Sequence, residues 1–193
     1  MKSSYLETIK AVDGELFHMS YHQKRYESVL EHFGIRDIKD IKEYLSPPQD
    51  GLYRCRLVYN IDDISVTYHR YKKRAVNSLK LIFDNDIEYS LKSTTRDNID
   101  ALFKQREECD DILIIKNLLV TDTSIANIAL YRDGEWLTPK KPLLKGTTRE
   151  RLLDTGKIIE ADIRVQELRT FSKVALLNAM IGFDILDNHE FLI

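Results

Sequence analysis

Two of the three Asp-Gly dipeptides, Asp13-Gly14 and Asp133-Gly134, each lie between runs rich in strand-forming residues, and they constrain this chain more than any other feature. An Asp-Gly pair readily adopts the positive backbone angles of a two-residue hairpin turn, so each dipeptide should fold its flanks into antiparallel strands. Tyr5 to Met19 reads as one such hairpin, and Ile125 to Tyr131 with Glu135 to Leu137 as another. Gly51 to Tyr59 alternates as a half-buried strand, which Ile64 to Tyr71 continues across the turn at Asn60 to Asp63. Leu79 to Phe83 adds a further strand, and Asp111 to Ile115 with Leu118 to Val120 a short hairpin.

Helical spacing is sparser. Tyr21 to Phe33 places Tyr26, Val29, Leu30 and Phe33 on one face, with Gly34 as the stop. A second helix is expected over Ile38 to Tyr44, ended by Pro47-Pro48, and others over 96–108 and from Arg149 to Leu153. Val165 and Leu168 with Phe171 to Phe183 read as a closing helix-and-strand unit. The expected class is α+β, with a small α/β lobe over residues 1–80 and a strand-rich lobe over 81–193. A cleft between two such lobes is a natural place for a small molecule.

Composition narrows the functional classes. A chain of 193 residues can bury a substantial core, but its 7 glycines form neither GxGxxG nor GxxxxGK[ST], which removes Rossmann and P-loop phosphate binding. With 29 basic against 31 acidic side chains there is no general pull toward nucleic acid or anionic membrane, and neither is expected as a partner. Tyr68 to Lys80 interleaves basic and aromatic residues as single-strand binders do, yet a solvated edge strand accounts for it. No apolar run approaches the ~18 residues of a membrane span, and MKSSYLETIK lacks a signal-peptide core, so a cytoplasmic protein is expected. Cys55 and Cys109 are isolated, which predicts free thiols and no metal site.

Chemistry concentrates between Lys92 and Arg149. Lys92 sits in LKSTTR; a lysine that is partly desolvated near cationic groups is a nucleophile toward carbonyls, although a loop lysine is ordinarily just solvated. Asp122 stands five residues before Asn127 in TDTSIAN and would otherwise be a turn aspartate. Gly146-Thr147-Thr148-Arg149 opens a helix, and a helix start can hold phosphate as well as accept a cap. An amine, an acid and a helix start are what pyridoxal phosphate asks of its aldehyde, pyridine nitrogen and phosphate sites.

These segments stand in a family order: Glu7-Thr8-Ile9, the Asp13-Gly14 hairpin, His22-x-x-Arg25, LKSTTR, TDTSIAN, Thr138-Pro139 before KGTTR, and Leu177-Asn178-Ala179-Met180. From about Tyr5 to Gly182 the chain thereby resembles the class IV aminotransferase family of pyridoxal phosphate enzymes, and among them the 4-amino-4-deoxychorismate lyases. The resemblance implies a D-amino acid aminotransferase-like fold and a homodimer. It assigns Lys92 to the cofactor aldehyde and to proton transfer, and Asp122, where the family usually has glutamate, to the pyridine nitrogen. Arg25, Thr147, Thr148, Asn178 and Ala179 fall to the phosphate, Asn127 to the cofactor site, and Thr8 to a proton relay.

Relatives usually carry a hairpin and a G-D-G-like turn before the E-T-[IV] strand, so the N-terminus is expected to be shortened. The implied reaction releases pyruvate and forms 4-aminobenzoate, a folate precursor. A class IV aminotransferase for branched-chain or D-amino acids stays open, because lyase and transaminase diverge only after the first proton is removed. So does a cofactor-binding relative without turnover.

Overall fold

Every second side chain of the first strand is buried, and the first layer is built on that alternation. The computed structural model describes residues 3–186 and 189–192. The chain forms two units: one runs to Lys73 and takes in Leu91–Thr95, the other comprises Arg74–Ser90 and the chain from Arg96 onward.

In the first unit, β1 (Tyr5–Val12), β2 (Glu15–Leu16), β3 (Leu52–Tyr59) and β4 (Ile64–Arg70) form an antiparallel sheet in the order β2-β1-β3-β4. Asp13 and Gly14 turn the first hairpin with φ of 48° and 82°, as the dipeptide predicts. Ile9 and Ala11 of β1 share a core with Cys55 and Leu57 of β3 and with Val29 and Leu30 of α1 (Met19–His32). One face of the sheet thus meets the helix, and the alternation follows from that.

The helix expected over Ile38 to Tyr44 is instead a single 3-10 turn, Ile41–Tyr44. Gln23 explains the difference: its amide accepts from the Ile41 N–H at 3.0 Å and donates to the Lys39 carbonyl at 3.0 Å, withdrawing both groups from any helix. The edge strand expected for Tyr68 to Lys80 is met only at its start: Tyr68, His69 and Arg70 end the edge strand β4, residues 71–77 are not strand, and Ser78 to Lys80 belong to a strand paired on both sides.

The expected boundary at residue 80 falls inside β5 (Ser78–Phe83), which belongs wholly to the second unit. Leu91–Thr95 returns to the first because β2 covers only the end of β1. The open beginning of β1 is paired instead by this segment, through Leu6 N–H to the Lys92 carbonyl and Thr94 N–H to the Ser4 carbonyl, each at 2.9 Å.

The second unit holds, among the described residues, a nine-stranded sheet ordered β10 (Ile159–Ala161), β9 (Glu135–Pro139), β8 (Asn127–Arg132), β7 (Leu119–Thr123), β6 (Asp111–Lys116), β5 and β13 (Glu190–Leu192), with β11 (Lys173–Asn178) and β12 (Gly182–Ile185) branching from β8. β5 runs parallel to β6, and β6 is buried on both faces. Leu113 and Ile115 enter the main core with Leu79 and Ile128, while Ile112 and Ile114 pack with Ile99 and Leu102 of α2 (Asp97–Phe103). A strand covered on both sides reads as a continuous apolar run rather than an alternation.

β7, β8 and β9 form an antiparallel meander that turns at Asp133-Gly134. α3 (Thr147–Asp154), β11 and β12 complete the unit, with a 3-10 segment at Val165–Thr170. β10 and β13 had no signal in the sequence, since three residues are too few to show a period.

Both cysteines are free and buried. No helix of the described residues is long and apolar enough to cross a membrane, and among them no group of side chains could hold a metal ion.

Ile9 is wholly buried on the strand that carries Glu7 and Thr8. Truncating it leaves a cavity, and Ile9→Ala should cost about 2–5 kcal/mol in urea unfolding with an unchanged m-value.

Candidate functional site

In the first unit a buried acid organises the cationic end of α1. Glu7 belongs to the core-facing phase of β1 and is fully buried, which obliges it to find partners. Arg25 supplies two of them, Nε to Oε1 at 2.8 Å and Nη2 to Oε2 at 2.6 Å, and His22 Nδ1 lies 2.6 Å from Oε2. The spacing of three from His22 to Arg25 brings both to one face of α1, where they meet one carboxylate. Burial alone would raise the Glu7 pKa, but the Arg25 charge and the hydrogen bonds from His22 and Arg25 outweigh it and hold the acid at about 2. No role was expected for Glu7, though a charge in the buried phase of an alternating strand was the available signal.

Thr8 lies on the opposite face of β1 from Glu7, half-buried and in register with Arg56. Lys92 is also half-buried, its carbonyl held by the Leu6 N–H. The first unit therefore joins Lys92 to the strand of Glu7 and Thr8 through backbone. Arg96, four residues on, belongs to the second unit, where it bonds Asp100 and the Ser124 carbonyl.

In the second unit the five-residue spacing from Asp122 to Asn127 proves to be a hairpin, with the two residues directly opposed across β7 and β8. The turn is closed by Thr123, whose N–H donates to the Ala126 carbonyl at 2.9 Å and whose hydroxyl accepts the Ala126 N–H at 3.0 Å. Asn127 donates to Asp122 Oδ1 at 2.7 Å, and the Leu144 N–H donates to Oδ2 at 2.9 Å.

Gly146 follows as the residue that caps α3 without a side-chain bond. A Cβ built there would overlap Asn127 Oδ1, so the helix start approaches the hairpin closely only because this residue is glycine. Thr147 and Thr148 are buried, and their first-turn N–H groups have no partner within the helix. Arg149, also buried, bonds the Pro139 carbonyl at 2.8 Å and Glu160 at 2.6 Å.

Asn178 closes the turn at the end of β11 by accepting the Met180 and Ile181 N–H groups, and it reaches the Ile125 carbonyl at 3.4 Å. Ala179 is half-buried in the same turn. The second unit thus gathers Asp122, Asn127 and the start of α3, and the Asn178 turn touches their hairpin. Neither Leu144 nor the close contact at Gly146 was anticipated, because both depend on a loop distant in sequence.

Burial pushes Asp122 up to about 6, against the lowering effects of the Leu144 N–H, the Asn127 amide and the Arg149 charge. An acid held by neutral donors beside an uncapped helix start suits a ligand with a cationic ring nitrogen and an anionic phosphate. The donor set of the second unit therefore fits pyridoxal phosphate.

Comparison with known proteins agrees. The profile of the amino-transferase class IV family matches residues 4–184. An uncharacterized protein of Haemophilus influenzae is 38% identical over 182 residues, spanning 91% of this chain and 97% of that protein. A crystal structure described as a candidate 4-amino-4-deoxychorismate lyase from Haemophilus somnus 129pt is 37% identical, with a TM-score of 0.85 over 94% of this chain and 98% of that one. A hypothetical aminotransferase from Mycobacterium tuberculosis, solved in a PLP-bound form, has a TM-score of 0.81 over 97% and 81% of the two chains at 15% identity, and shows the common fold.

The two buried acids should act on stability in opposite directions. Glu7 lies below its ordinary 4.5, so its contribution is present above that pH and is lost as pH falls toward about 2. Asp122 lies above its ordinary 3.8, so its contribution is present below that value and is lost as pH rises through about 6. Asp122→Asn should remove this second loss. Its unfolding free energy relative to wild type should rise by on the order of 3 kcal/mol between pH 3.8 and pH 7, whatever its constant offset. A relative stability that stays level with pH would show that Asp122 titrates normally.

Proposed function

Because the chain belongs to the class IV aminotransferase family, we propose that it is a pyridoxal phosphate-dependent lyase converting 4-amino-4-deoxychorismate into 4-aminobenzoate and pyruvate. The observation that carries the cofactor is the buried Asp122 bonded to the loop that opens α3. The lyase reading draws support from the 37%-identical structure described as a candidate lyase.

When bound, pyridoxal phosphate supplies an aldehyde for amines and a ring that accepts electrons. In this reading Asp122 holds the proton of the ring nitrogen, and a cationic partner would draw its pKa down from about 6. The N–H groups of Thr147 and Thr148 and the positive end of α3 would hold the phosphate, and the family resemblance assigns Arg25 and the turn at Asn178 and Ala179 to it as well. Glu7 keeps the Arg25 guanidinium oriented.

Lys92 would supply the amine that holds the aldehyde, and the same amine would move the proton of the substrate's amine-bearing carbon. The ether C–O bond then breaks, the six-membered ring becomes aromatic, and the three-carbon fragment takes up a proton and leaves as pyruvate. Thr8 relays that proton. The reading also carries a homodimeric, cytoplasmic enzyme acting on a small-molecule amine, as the resemblance implies.

Incubation with aminodeoxychorismate and pyridoxal phosphate should release pyruvate and 4-aminobenzoate in equal amounts without any oxo acid. Turnover seen only as exchange between an amino acid and an oxo acid would replace the lyase with a transaminase. Tight cofactor binding with neither reaction would leave a non-catalytic relative. Borohydride reduction of the loaded protein should label Lys92, and a label on another lysine overturns its role. Arg25→Ala should weaken cofactor binding by about 10- to 150-fold, the range of a lost charge-assisted hydrogen bond. Unchanged affinity would leave Arg25 as the partner of Glu7 alone.

A further inference from the structure

Asn127 was expected to line the cofactor site, yet its amide is used within the protein. Its nitrogen has two hydrogens, and they go to Asp122 Oδ1 at 2.7 Å and to the Leu144 carbonyl at 2.8 Å. The Leu144 N–H returns to Asp122 Oδ2 at 2.9 Å, so three groups from β7, β8 and the loop before α3 close a ring of hydrogen bonds. On its other side the Asn127 oxygen faces Gly146, where a Cβ would overlap it. The two side chains are buried, Asn127 and Asp122 each 5% exposed, while Leu144 and Gly146 are half-buried.

We propose that Asn127 is a positioning residue, which fixes the Asp122 carboxylate to the loop opening α3. It rests on the proposed function only for the identity of the group Asp122 would face. Both carboxylate oxygens are held by groups of the protein itself. One more methylene would carry the carboxylate about 1.5 Å onward and part it from Asn127 and Leu144. Asp122, Asn127 and the loop at Leu144 to Gly146 are thus held together by direct contacts.

The charged group facing Asp122 besides these donors is Arg149, and the Leu143 and Leu144 N–H groups complete its surroundings. Substituting Asn127 leaves those in place. In the cofactor-free wild type, NMR titration should show the Asn127 side-chain amide signals moving with the same midpoint as the Asp122 carboxyl carbon. Asn127→Ala should raise that midpoint by about one pH unit, the effect of losing one hydrogen bond to a carboxylate. Gly146→Ala, by displacing Asn127, should raise it as well.

In the loaded protein, Asp122→Glu should weaken cofactor affinity in the wild-type background and weaken it less beside Asn127→Ala, since the two changes disrupt one contact. Asn127 signals that ignore the Asp122 titration would overturn the proposal, as would an unchanged midpoint in folded Asn127→Ala. Additive losses in the double variant would show that the two residues act independently and would refute the positioning role. If Asn127→Ala does not fold, the wild-type co-titration decides alone. Co-titration together with no binding of pyridoxal phosphate would defeat the proposed function and leave the positioning role standing.

Discussion

A carboxylate taken out of water costs several kcal/mol unless charges or hydrogen bonds replace its hydration, and each unit of this protein buries one at its candidate site. The two are compensated differently. Glu7 meets a guanidinium and an imidazole at hydrogen-bonding distance, and it stays ionised far into acid. Asp122 meets an amide and a backbone N–H, with a charged group only in its wider surroundings, and it stays ionised less readily. The first is a completed pair that orders a helix face. The second has its carboxyl oriented while its charge is under-compensated, which suits a group that awaits a cation.

That difference extends into the surrounding architecture. Asp122 is oriented because β7 and β8 oppose it to Asn127, because the loop before α3 presents its backbone, and because Gly146 lacks a side chain. The start of α3 is brought to the hairpin by the same contacts, so the acid and the helix start are fixed by one network of hydrogen bonds. Arg149 anchors the helix from beneath through Pro139 and Glu160. Such preorganisation lets a site hold a charged ligand without reordering its own dipoles.

The local grammar of the chain was largely readable. Asp13-Gly14 and Asp133-Gly134 turn hairpins because few residue pairs adopt those angles without strain, and the alternation in β1 and β3 records a sheet with one buried face. Lys92, Asp122, Asn127 and the GTTR helix start could be singled out because their residue types and order match the needs of one cofactor. Failures came where a distant side chain competed with local preference. Gln23 captured the backbone at Lys39 and Ile41 and left a 3-10 turn where a helix was expected. β10 and β13 exist because a neighbouring strand edge was there to pair with.

By itself, then, the sequence determined the hairpins, the main strands and the choice of candidate groups, because turn chemistry, side-chain periodicity and functional-group identity are local properties. Tertiary structure decided which of these groups meet: that Glu7 takes Arg25 and His22, that Leu91–Thr95 joins β1, and that Asn127 holds Asp122 against Leu144. Those outcomes turn on backbone groups and spaces brought together from distant parts of the chain. A donor such as the Leu144 N–H is common to every residue but proline, so only its place in the fold gives it a role.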